Sequence, residues 1–232
     1  MNLTPLLAGL DPAVARDTVA AARRRSFGRG EVVFHEGDPG DSMLFVTSGH
    51  FACRLTTRDG QDCMFRVYSS GDMFGRLAVT PLDAVRSMTI ISLGDSEALE
   101  LFRAQLDELR ARYAVVNDAL LGLAGLEMRR LAELLIEARF VDADRRVRRR
   151  LLELGEHYKD EETGLTVIPL THEQIGQLAG ASRVTVSRVL AQEEQRGTIL
   201  KQRRTIALLD LDGLARSAGW PESATPPSLR ET

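Results

Sequence analysis

The chain has 232 residues, is 44% hydrophobic and 27% charged, and carries a net charge of −3 at neutral pH. That length holds two domains with cores of their own, and the overall charge gives no sign of a nucleic-acid partner, so any such signal must be local. Two cysteines, Cys53 and Cys63, exclude a disulfide-rich scaffold. The sequence contains no signal peptide and no long apolar run, so a reducing cytoplasm and no membrane partner are expected. The histidines His35, His50, His157 and His172 show no ligand spacing, and no metal site is expected. No paired acid and base and no activated nucleophile stand out, so an enzyme is not expected.

In chain order, residues 1–25 read as helical, with Asp11 as a cap, Pro12 at the first helical position and an alanine-rich segment behind it. Arg23, Arg24 and Arg25 read as its solvated end in preference to an anion contact. From 26 to 101 the texture changes. EVVF, MLFVTSGHFACRL, DCMFRVY and SMTIISL alternate with turns at GRGE, HEGDPGDS, RDGQ and SSGD, which predicts an antiparallel barrel or roll. Cys53 and Cys63 then fall on strands and are expected to be buried rather than to form a redox pair. In 71–87, GDMFGRLAVTPLDAVRS, a short helix after Gly75 would present free amides to an anion, Arg86 could pair with a phosphate, and Ser87 could add a hydroxyl.

Residues 102–112 predict a helix, followed by a longer one through about Ala138. On it Leu121, Ala124, Met128, Leu131, Leu135 and Ala138 recur at spacings of three and four, a heptad seam that predicts pairing with a second copy. The alternative is one broad buried face in a monomer. Leu123, Leu126 and Leu134 form a neighbouring stripe expected to lie on the roll. A break is expected at 140–144, with Asp142 or Asp144 capping the next helix. On that helix Val147, Leu151, Leu152 and Leu154 should be buried. The run RRVRRR, 145–150, then either approaches phosphates or forms the wet side. KDEETG, 159–164, reads as a polar loop before a strand at 165–168.

Residues 171–197, THEQIGQLAGASRVTVSRVLAQEEQRG, predict two helices joined by a tight turn. Thr171 and Gln174 make a capping box, Gly180 turns the chain, Ser182 caps the second helix and Gly197 ends it. Val186, Val189 and Leu190 share one face. Arg183, Val184, Ser187 and Arg188 point the other way, as a helix reading base edges requires. Residues 198–209 predict a hairpin with a basic tip, a wing that can hold the backbone. Between 171 and 204 six basic residues face three acidic ones, a local +3. Thr171, Ser182, Arg183, Val184, Ser187, Arg188, Lys201 and Arg203 are the candidate DNA contacts. The tail from Pro221 reads as disordered.

QIGQLAGASRVTVSRVL resembles the DNA-binding segment of the CRP/FNR family of bacterial transcription regulators, and its RVTVSR core is similar to the nitrogen-control branch. In the cyclic-AMP branch a glutamate stands where this chain has Val184, so a different half-site is implied. FxxGxxxxxMLFVxSG at 34–49 resembles the opening of a cyclic-nucleotide-binding fold, and 71–87 resembles its phosphate-binding cassette. By that resemblance Gly75, Arg76, Leu77, Arg86 and Ser87 line the ligand site. Cyclic-AMP binders carry a glutamate where this chain has Arg76, and a threonine and a serine where it has Leu131 and Ala132. Arg76 implies either a more anionic ligand or a salt bridge inside the roll. The oxygen-sensing branch carries a cysteine cluster that this chain lacks. The resemblance implies an α+β chain with a jelly roll at 1–110, a dimerisation helix and hinge at 111–141, a winged helix-turn-helix at 142–220 and the tail at 221–232. Its expected partners are double-stranded DNA, a second copy and, through the 159–164 loop, RNA polymerase. No cofactor is expected; cyclic AMP is disfavoured, and another small anionic effector is the alternative.

Overall fold

The computed structural model describes residues 6–7, 9–76, 85–160 and 162–219. It is an α+β chain with a first compact unit that ends within one long helix at Ala132 and a second that takes over at Glu133.

The first unit opens with α1 (Pro12–Ala21), capped by Asp11 with proline in its first turn. Among the described residues eight strands follow: β1 (Arg23–Phe27), β2 (Val32–Phe34), β3 (Ser42–Ser48), β4 (Phe51–Thr56), β5 (Asp62–Tyr68), β6 (Met73–Phe74), β7 (Thr89–Ser92) and β8 (Ser96–Phe102). They form two antiparallel sheets ordered β1-β8-β3-β6 and β2-β7-β4-β5. The continuous apolar run in β3 serves two cores by strand alternation. Leu44 and Val46 join Phe27, Phe51, Phe74 and Ile90 inside the roll. Met43 and Phe45 face a second core built with Leu6, Leu7, Leu10, Ala15, Leu106 and Val116. Helices α2 (Arg103–Arg112) and α3 (Ala114–Phe140) complete this layer.

Three expectations are corrected here. Arg23, Arg24 and Arg25 are strand, paired with Glu100, Leu99 and Ala98, because β8 offers an open edge to them. Cys53 is buried but Cys63 is only half-buried. Leu123 packs on the helix-side core, whereas Leu126 is 61% exposed, since the helical rotation carries it past the sheet. Leu77 and the helix expected after Gly75 lie outside the described residues, as does the tail from Pro221. Among the described residues, no helix is long and apolar enough to cross a membrane.

The second unit is organised on α4 (Ala143–Tyr158), capped by Asp142, whose side chain accepts from Arg145 N–H. Around it lie β9 (Thr166–Ile168), α5 (His172–Ala179), α6 (Arg183–Arg196), β10 (Ile199–Gln202), β11 (Thr205–Leu208) and α7 (Leu211–Ala218), with a sheet ordered β10-β11-β9. Val147, Leu151, Leu152 and Leu154 are buried as expected. The RRVRRR run matches neither alternative read from its sequence. Arg146 donates to the carbonyls of Ala179 and Gly180, each at 2.8 Å, and Arg149 to those of Ala218 and Gly219. These are the carbonyls that a helix end leaves unpaired, so two arginines of α4 cap α5 and α7. Arg148 and Arg150 are buried and ion-paired, Arg148 with Glu193 at 2.7 Å and Arg150 with Glu137 at 2.8 Å and Glu153 at 2.9 Å.

Glu193, fully buried on α6, also accepts from Thr198 and Arg196. Burial alone would raise its carboxyl. The hydrogen bonds from Arg148 and Thr198, with the charges of Arg148 and Arg196, outweigh it and hold the group below the ordinary carboxylate range. Glu193→Ala strands a buried arginine and is expected to cost about 3–5 kcal/mol in urea unfolding of the second unit. Because the folded group is depressed, its contribution is present above the unfolded pKa and lost as pH falls through the folded value. Acid unfolding of wild type followed beside Glu193→Gln checks the sign: the substitution should flatten that part of the profile.

Candidate nucleic-acid interface

Thr171 opens α5 with a capping box: its Oγ1 accepts from Gln174 N–H, and Gln174 Oε1 accepts from Thr171 N–H at 2.9 Å. Gly180 takes φ +57°, which admits glycine without strain, and ends the helix. Ser182 Oγ accepts from Thr185 N–H at 3.1 Å and starts α6. Gly176 makes the turn compact in a way that the sequence reading missed. A Cβ there would stand 2.6 Å from the carbonyl oxygen of Ala181. Gly176 O in turn accepts from Ala181 N–H.

Val186, Val189 and Leu190 are fully buried, which fixes the rotation of α6. Arg183, Val184 and Arg188 therefore face solvent, and Val184 is 77% exposed. Ser187 is half-buried and shares a 2.9 Å contact with Nδ1 of His172, the first residue of α5. Burial first, then the charges of Arg183 and Lys201, push the His172 imidazole below its ordinary value. Arg188 is not free: its guanidinium donates to the carboxylate of Asp144 on α4. Neither His172 nor Asp144 was picked out as a partner of α6, because each lies far in sequence from the residue it meets.

The β10–β11 hairpin pairs Gln202 with Thr205 and puts Arg203 and Arg204 at its tip, both exposed. Arg204 adopts φ +68°, the one positive φ at a non-glycine residue among the described residues. Lys201 is held from its own side, 2.7 Å from Glu194. The structure thus gathers Thr171, Ser182, Arg183, Val184, Ser187 and Arg188 on the two helices. Arg203 stands at the hairpin tip, and Lys201 is already engaged.

The seam residues of α3 are all exposed: Leu121 at 74%, Met128 at 72%, Leu135 at 63% and Leu131 at 47%, and Ala124 and Ala138 with them. The broad buried face of a monomer is therefore excluded along these positions.

In the roll, Gly75 and Arg86 meet closely. A Cβ on Gly75 would lie 2.8 Å from Arg86 Nη1. Arg86 is buried, donates to the carbonyl and hydroxyl of Ser42, and stacks 4.1 Å from the centre of the Phe34 ring. The Ser42 hydroxyl in turn donates to Glu100 Oε1 at 2.8 Å. Burial lowers the Arg86 pKa, and Glu100 and Asp41 oppose that shift. Ser87, next in sequence, is exposed. Arg76 makes a salt bridge, though to the long helix and not inside the roll as expected: its Nη2 lies 3.3 Å from Glu127 Oε2 on α3, a carboxylate shared with Arg66 at 3.1 Å.

Residues 24–113 match the cyclic nucleotide-binding domain model, and residues 145–217 match the Crp-like helix-turn-helix domain model. The chain is 30% identical over 217 residues to a CRP-like cAMP-activated global transcriptional regulator of Mycobacterium tuberculosis, covering 91% of this chain and 96% of the relative. It is 31% identical over 203 residues to the cyclic AMP receptor protein of Thermus thermophilus, covering 86% and 89%. A solved transcriptional regulator of the CRP/FNR family, also from Thermus thermophilus, superposes at TM-score 0.65 and 27% identity, covering 85% of this chain and 98% of that one. FixK2 from Bradyrhizobium japonicum superposes at 0.75, covering 84% and 96%, and at 21% identity speaks for the fold alone. A nucleotide-binding-type roll, a helix-turn-helix with its arginines outward, and these relatives agree that the chain belongs to the CRP/FNR family of DNA-binding transcription regulators.

Proposed function

We propose that the protein works as a homodimer that sets two copies of α6 into successive major grooves of a palindromic duplex, without needing cyclic AMP. The observation that carries the reading is the outward face of α6. Its three inward residues are fully buried, so Arg183, Val184 and Arg188 have no packing role to explain them. Arginine can fork onto guanine O6 and N7, and an isolated exposed valine gains by covering a thymine methyl. Ser187 lies at the same surface, and Thr171, Ser182 and the Arg203 tip flank it at the places where phosphates would run.

The dimer reading draws on α3. A stripe of exposed leucine and methionine from Leu121 to Leu135 on α3 is apolar surface that pairing removes from water. Two-fold symmetry also supplies the second reading head that a palindrome requires. The relatives from Mycobacterium and Thermus carry cyclic AMP in their names. This chain departs from that ligand chemistry at named atoms. Arg76 has no acceptor to offer and is held by Glu127, Arg86 is spent on Ser42 and Phe34, and Leu131 and Ala132 carry no hydroxyl.

A metabolite-responsive alternative draws on one observation, the buried Arg86 Nε, which has no hydrogen-bond partner among the described residues. Calorimetry with small dicarboxylates and nucleotides separates the two readings. Binding of one of them with a matching change in DNA affinity favours the alternative.

Selection from a randomised duplex library should yield a palindrome with half-sites about 10 base pairs apart. On that operator Arg188→Ala is expected to lose about 1–3 kcal/mol and to relax preference at one base pair per half-site. Equal losses on operator and random DNA would argue against base reading. Leu135→Glu should move the protein from dimer to monomer in sedimentation at micromolar concentration; an unchanged dimer would remove the α3 seam from the account. Gel-shift titration with and without cyclic AMP should give the same operator affinity, and strong stimulation would refute ligand independence.

A further inference from the structure

The contact between Arg188 and Asp144 joins two side chains that keep part of their surface in solvent, and it is not part of the capping of α4. Asp142 already caps α4, so Asp144, two residues on, is not needed there. It lies in the first turn of α4, where the helix N-terminus favours its charged form. The Arg188 side chain keeps 55% of its surface in solvent and that of Asp144 keeps 26%. The arginine proposed above to read bases is therefore tethered by a carboxylate on another helix.

The tether treats two DNA surfaces differently. Guanidinium has five N–H donors in a fixed plane. Asp144 takes one from Nη2, and enough remain for a forked contact with guanine O6 and N7. The guanine edge is uncharged, so the carboxylate can stay in place. A phosphate contact is another matter. Paired with Asp144, Arg188 brings almost no net charge to the backbone and releases little counterion. It would also bring a phosphodiester up to a carboxylate. We propose that Asp144 is a positioning residue that makes Arg188 selective for a guanine edge over the DNA backbone. This rests on the reading that α6 enters the major groove.

The test uses the full-length protein, the operator from the library selection and a random duplex of equal length, titrated across a range of KCl. Asp144→Ala should tighten binding to the random duplex several-fold and steepen its salt dependence, while operator affinity stays level or falls. Discrimination between the two duplexes should then drop about tenfold. Asp144→Asn, of the same shape without the charge, should do the same to the random duplex and guards against a packing effect. Thermal melting reports whether each variant is folded. In an Arg188→Ala background the Asp144 substitution should no longer change discrimination. The proposal is overturned if Asp144→Ala moves both duplexes equally, moves neither, or changes discrimination equally without Arg188. Failure of the underlying reading looks different: Arg188→Ala alone would then leave operator affinity untouched.

Discussion

The second unit depends on how α4 holds its neighbours. Arg148, buried on α4, meets Glu193, buried on α6, at 2.7 Å, and Arg146 closes over the last carbonyls of α5. A buried ion pair tolerates little rotation, because turning α6 would leave two charges without water and without each other. The apolar residues Val186, Val189 and Leu190 say which face of α6 goes inward. The arginines of α4 say where along α4 that face must sit. The outward set of Arg183, Val184 and Arg188 follows from both, and so does the meeting of Arg188 with Asp144, since Asp144 and Arg148 are one turn apart on α4.

The roll shows how one scaffold can change its chemistry through a few side chains. The sheets enclose an aromatic interior, and Gly75 approaches Arg86 closely beside it. The two arginines of this region, Arg76 and Arg86, are turned to internal partners. Arg86 ends on Ser42, which leads to Glu100, and Arg76 ends on Glu127 of α3. The Arg76–Glu127 pair ties the end of the segment after β6 directly to the long helix. In the proposed account this tie takes the place of an effector.

Much of this was legible in the sequence where the signal is local. The capping box at Thr171, the glycine at 180, the serine cap at 182 and the spacing of Val186, Val189 and Leu190 each act within a few residues, and each appears as read. The alternation of short apolar runs with glycine turns carried the roll for the same reason. What was missed is non-local. RRVRRR is a charged run to any window-based reading, and only the fold reveals that Arg146, Arg148 and Arg149 find carbonyls or carboxylates far away in sequence and that Arg150 pairs with Glu137 and Glu153. Arg23–Arg25 looked like a helix end because nothing nearby announces that β8 will pair with them. Glu127 and Asp144 carry no motif; their meaning lies in partners 44 residues off for Asp144 with Arg188 and 51 for Glu127 with Arg76. Gly176 was passed over because its reason is the backbone of Ala181.

The central claim is that two copies of α6 read guanines from the major groove on one face of a duplex. Methylation of guanine N7 by dimethyl sulfate reports on that groove and on the atom that Arg183 and Arg188 would bond. With the bound operator, two clusters of protected guanines are expected about one helical turn apart, with protection at one guanine in each lost in Arg188→Ala. Protection in a single cluster, or full reactivity at N7 while the protein is bound, would contradict the claim.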